Sequence, residues 1–129
     1  MEKETHIFVY GTLRKQMRHP LSHLLVRHGL FVGMGTFQGT LYDLGRYPGA
    51  VPSKSKTDLI VGELYLLQQP DAVLELLDEH EGPRFKRSQV TIVSGEEQAI
   101  SAWIYLYARS IAGRKIISSG DYVQYRNTS

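Results

Sequence analysis

Cysteine is absent from the 129-residue chain, which excludes a disulfide framework, a thiolate nucleophile and a cysteine zinc site. A strong excess of one charge is absent too. Lys and Arg number 15 against 13 Asp and Glu, a formal net of +2, so the pI of about 8.9 reflects near balance rather than a basic surface built for nucleic acid. No apolar run approaches the roughly 18 to 20 residues that span a bilayer. The opening MEKETH is charged and the apolar stretch behind it is short, unlike a secretory signal. There is no internal repeat, no low-complexity linker, no Gly-x-Ser-x-Gly elbow and no Walker loop. These features predict a soluble, cytoplasmic protein with no membrane or nucleic-acid partner. One domain is expected over 1–129, with about 125–129 frayed.

What the chain does have is strand signal. His6–Tyr10 is a short β-branched and aromatic run ended by a Tyr-Gly pair. Phe31–Leu44 carries Gly33, Gly35 and Gly39 inside it, the pattern of a bent or bulged strand pair. Leu59–Leu67, Gln89–Val93 and Ala99–Ala108 read as further strands, the last being the strongest, and Ser53–Asp58 is a polar loop. Two segments read as helices: Pro20–His28, with Pro20 at the first position and Gly29 as the stop, and Pro70–Pro83, ended by Gly82 and Pro83. Five or six strands, two helices and no βαβ alternation predict an α+β fold on a small curled, mostly antiparallel sheet or barrel.

Three segments carry chemistry. On the second helix, Leu74, Leu77 and Glu81 fall on one face at about 100° per residue, with Glu75, Asp78 and Glu79 on the other. A carboxylate in line with the buried stripe, at the negative end of the helix dipole, has its pKa pushed up and can carry protons near neutral pH. The alternative is a splayed helix end, with Glu81 reaching water or pairing with Arg84 or Arg87. In the second segment, FVYGTLR at 8–14, glycine lets the backbone approach another group or turn its N–H groups toward one point, and Thr12 adds a hydroxyl. Taken by itself, the segment fits an ordinary tight turn into the loop at 15–19 better, since a strand followed by Gly-Thr is common. In the third, YPGAV at 47–51, Pro-Gly suits a type II turn, and Tyr47 could wall a pocket. His19 and His23 are four apart, but Pro20 between them and the missing metalloprotease Glu point to a solvated pair rather than a metal site.

FVYGTLR at 8–14, YPGAV at 47–51, VGELYLL at 61–67, LDEHEG at 77–82, FKRSQV at 85–90 and AWIYLY at 102–107, in that order and spacing, resemble the gamma-glutamylcyclotransferase-like superfamily. The resemblance implies that family's fold and the release of 5-oxoproline from a small gamma-glutamyl amine or peptide, with no metal or organic cofactor. The family's Tyr-Gly-Ser/Thr-Leu loop, which holds the glutamyl group largely through its backbone, corresponds to Tyr10, Gly11, Thr12 and Leu13. Its acid/base glutamate closes a Leu-Asp-x-x-Glu pattern, here Leu77 to Glu81, so the helix geometry and the resemblance meet on Glu81. On the 99–108 strand Tyr105 and Tyr107 share one face with Trp103, where one tyrosine can line the pocket while at least one packs in the core, and Tyr47, Arg87 and Tyr107 complete the expected substrate-binding set. Where many relatives have Tyr-x-Arg, this chain has Phe85-Lys86-Arg87, which removes the tyrosine hydroxyl and keeps the arginine. The leaving amine and the oligomeric state are left open. Two other readings remain at this point: a non-catalytic binder of a small metabolite, and a single-stranded nucleic-acid binder using the basic runs at 14–19, 54–56 and 84–87 with eight tyrosines as stacking platforms.

Overall fold

The computed structural model describes residues 4–128; Ser129, the last of the tail expected to fray, lies outside the described residues. The elements run β1 (His6–Val9), a 3-10 turn (Lys15–Met17), α1 (Ser22–His28), β2 (Gly29–Asp43), β3 (Pro48–Pro52), β4 (Leu59–Leu67), α2 (Pro70–Glu81), β5 (Phe85–Ser94), β6 (Ala99–Tyr107), β7 (Lys115–Ile116) and α3 (Tyr122–Thr128).

The strands pair in the order β1-β4-β2-β3-β6-β5, and a further parallel pairing of β1 with β6 closes β1, β4, β2, β3 and β6 into a ring. The result is an α+β fold with a five-stranded mixed barrel: β3 also pairs with β6 in parallel, and the other ring pairings are antiparallel. Side-chain alternation divides the apolar residues between two clusters. Phe8, Ile60, Leu64, Ala102 and Ile104 belong to one cluster, completed by Phe37, Leu41, Ile117 and Tyr122. Ile7, Val9, Tyr65, Leu67 and Tyr105 face the other way, onto Leu25 of α1 and Val73, Leu74 and Leu77 of α2. β1 is thus buried on both faces, which explains why its sequence is a continuous apolar run rather than an alternating one.

Several expectations change in the folded chain. The predicted strand pair at 31–44 is a single 15-residue strand with an irregularity between Phe31 and Gly33, the latter at φ 147°. It pairs with β4 through its first part and with β3 through its second. YPGAV is not a type II turn: Pro48–Pro52 is strand β3, with Gly49 opposite Tyr42 and outside the positive-φ region. The first helix begins at Ser22, two residues after Pro20, and Gly29 is extended (φ −142°, ψ 162°), because the chain passes straight into β2 without a left-handed cap. Residues 125–128 belong to α3. That helix is anchored by Tyr122, 1% exposed in the core, and by Tyr125, whose hydroxyl donates to Asp43 Oδ2 at 2.6 Å. Among the described residues no helix is long and apolar enough to cross a membrane.

Candidate active site

At one end of the barrel, β1, β3, β6 and the C-terminal end of α2 surround a cavity of about 500 Å³, within the usual range for small-molecule sites. Four of its lining residues are Tyr10, Gly11, Thr12 and Leu13, where β1 runs out into a loop. The loop turns back on itself through the Arg14 N–H donating to the Gly11 carbonyl at 3.0 Å. A Cβ at Gly11 would sit 2.7 Å from Pro48 Cγ, so glycine is required there for the close approach of β3. The N–H groups of Gly11, Thr12 and Leu13 donate to no protein group among the described residues. Tyr10 contributes its ring, but its hydroxyl is committed: it donates to the Tyr105 carbonyl at 2.5 Å and accepts from the Ala50 N–H at 3.2 Å. Burial, and then the nearby Glu81 charge, raise its pKa and keep it a neutral phenol.

Glu81 lines the same cavity from the last residue of α2. Leu74 and Leu77 are buried against the barrel, which turns Glu81 inward one turn later, and Glu75 and Glu79 are exposed. Neither arginine offered as a partner takes that role. Arg84 donates to the Tyr47 hydroxyl at 2.9 Å, and Arg87 holds Asp78 at 2.8 and 3.1 Å. Among the described residues the Glu81 carboxyl has no ion pair, and burial pushes its pKa from 4.5 up to about 7.

Tyr47 also lines the cavity, its ring tilted 5.8 Å from that of Phe85. Arg87 and Tyr107 are not brought to it. Arg87 stands over Trp103 at 4.3 Å, and with Asp78 it belongs to a separate surface depression. Tyr107 packs edge-on against Phe85 at 5.6 Å and against the backbone at Gly49. Tyr105, two residues earlier on the same face of β6, is the one that reaches the cavity, and its hydroxyl donates to Asp78 Oδ1 at 2.7 Å. His19, Arg46 and His80 are further lining residues that sequence reasoning did not assign. His19 and His80 meet edge to face at 4.8 Å, so His19 is not simply solvated. Its Nδ1 accepts the Leu21 N–H at 3.0 Å, and burial followed by the neighbouring His80 lowers its pKa. Among the described residues no cluster of three or more His, Asp or Glu is placed to hold a metal ion.

The family described as gamma-glutamyl cyclotransferase, AIG2-like, matches residues 7–124. The chain belongs to that family. It is 35% identical over 119 residues to the gamma-glutamylcyclotransferase family protein YtfP of Escherichia coli K12, covering 91% of this chain and 95% of that one. Its fold is similar to the crystal structure of an AIG2-like protein from Mus musculus, with a TM-score of 0.67 and 25% identity over 83% of this chain and 79% of that one. An uncharacterised protein of Pyrococcus horikoshii superposes with a TM-score of 0.70 and 26% identity over 96% and 94% of the two chains.

Proposed function

We propose that this chain releases 5-oxoproline from gamma-glutamyl amines or peptides, with Glu81 moving the proton and the Tyr10–Leu13 loop holding the glutamyl group. The observation that carries this reading is one carboxyl, pushed up to about 7 by burial, without an ion-pair partner among the described residues, in a cavity lined also by Gly11, Thr12 and Leu13, whose backbone N–H groups have no protein acceptor among the described residues. A group with a pKa near 7 exchanges protons readily in both directions at neutral pH.

The reaction asks for little more. The substrate's α-amine attacks its own γ-carbonyl carbon, a C–N bond forms to close a five-membered lactam, and the C–N bond to the leaving amine breaks. Because the nucleophile is tethered, much of the orientation cost is met once the substrate is bound folded. Ionised Glu81 takes the proton that the attacking nitrogen loses and, as the acid, returns it to the departing amine, so no proton is gained or lost overall. The N–H groups of Gly11, Thr12 and Leu13 can donate to the substrate carboxylate or to the oxyanion that forms at the γ-carbonyl.

The test is 5-oxoproline release from a panel of gamma-glutamyl amines and peptides by the wild type and Glu81→Gln. The reading requires turnover by the wild type and a loss of about a hundredfold or more in the variant. Turnover that survives the substitution removes Glu81 from the mechanism. Silence of the folded wild type on the whole panel overturns the reading and favours a non-catalytic binder of a small metabolite.

A further inference from the structure

Glu63 is fully buried and Arg14 is 3% exposed, yet neither lines the cavity. Glu63 Oε2 lies 3.3 Å from Arg14 Nε, while Oε1 accepts the Lys15 backbone N–H at 3.1 Å and the Tyr65 hydroxyl at 2.9 Å. Arg14 Nη1 then reaches Asp121 Oδ1 at 2.8 Å, and that same oxygen accepts the Gln124 N–H at the start of α3. The segment before Asp121 is itself fixed, by Ile117 N–H to the Leu41 carbonyl and Val61 N–H to the Gly120 carbonyl, both at 2.8 Å.

Stability alone is a poor explanation for this cluster. Burying a carboxylate and a guanidinium costs desolvation that their attraction only roughly offsets, and apolar residues of similar volume often serve a fold as well or better. An apolar pair could not, however, hold the backbone at Lys15. Glu63 is also the register partner of Val9, the last residue of β1. One residue therefore meets the chain where it enters the Tyr10–Leu13 loop, through the strand ladder, and where it leaves, through Arg14 and the Lys15 N–H.

We infer that Glu63, Arg14 and Asp121 form a positioning network that closes the Tyr10–Leu13 loop at its base and ties its shape to the start of α3. This rests on the reading of that loop as the glutamyl site, and the test separates the two. Amide hydrogen exchange over residues 10–15, urea stability, and KM and kcat for 5-oxoproline release are measured for the wild type, for Asp121→Asn, and for the double variant Arg14→Met with Glu63→Met. Asn at position 121 still accepts the Gln124 N–H but loses its charge toward Arg14.

Exchange over 10–15 is expected to accelerate about tenfold or more in the double variant, beyond any change in global stability, and less in Asp121→Asn. KM is expected to rise about tenfold or more in the double variant while the acid limb of the pH profile stays in place. Unchanged exchange over 10–15 in a folded double variant overturns the inference. If the double variant does not fold, unchanged exchange in Asp121→Asn overturns it. A loosened loop with unchanged KM supports the network and counts against the loop as the glutamyl site.

Discussion

Replacing Glu81 with Gln should make the protein more stable at alkaline pH, and the size of the gain follows from the geometry. In the unfolded chain the carboxyl titrates near its ordinary 4.5, whereas burial in the cavity pushes it up to about 7. Between those values the folded protein keeps a proton that the unfolded chain has released, so stability falls as pH rises. The loss is about 1.4 kcal/mol per pH unit over that interval and reaches about 3 kcal/mol above pH 8. Gln copies the protonated shape and carries no charge at any pH. Urea denaturation of both proteins from pH 4 to pH 8.5 isolates this one group, because contributions from His19, Asp78 and the other titrating residues cancel in the difference. The two should agree at pH 4, and the variant should be more stable by about 3 kcal/mol at pH 8.5. Equal stability at pH 8.5, or a less stable variant there, would refute the claim that Glu81 is held in a desolvated place without a counter-ion.

Gly11→Ala should destabilise the fold by about 1 to 3 kcal/mol, because the new Cβ would lie 2.7 Å from the rigid Pro48 ring and force β3 away from the loop. Thermal melting checks this, and a wild-type Tm would mean that the approach is not tight. Tyr105→Phe removes the 2.7 Å donor to Asp78 but leaves Asp78 paired with Arg87. The expected cost is about 1 kcal/mol in urea denaturation, and a variant as stable as the wild type would mean that this hydrogen bond adds nothing to the fold.

The parts of the fold legible in the sequence were those whose partners lie within their own period. β4 occupies the residues read for it, and α2 is placed by the Leu74, Leu77 and Glu81 stripe. β3 was hidden because Pro48 and Gly49 are locally turn residues, and only their pairing with Asp43 and Tyr42 makes them strand. α3 was hidden because a polar tail is helical here through two long-range anchors, Tyr122 in the core and Tyr125 on Asp43. The same limit applied at the site. Helical spacing placed Glu81 on the buried face, but strand alternation gives only the face of β6 and not the position along it, so Tyr107 was assigned where Tyr105 stands. Arg87 was read as available for substrate because nothing local reveals that Asp78, nine residues earlier, takes its guanidinium. His19 and His80 meet only after α2 folds onto the barrel.

Whether Glu81 carries the proton is read out by following 5-oxoproline release from pH 5 to pH 9. Proton removal by Glu81 requires its ionised form, so kcat/KM of the wild type should rise with pH through an apparent pKa of about 7. Glu81→Gln should lack that limb and run about a hundredfold or more lower throughout. An identical limb in the variant, or a wild-type rate flat across pH 7, would mean that Glu81 is not the proton carrier.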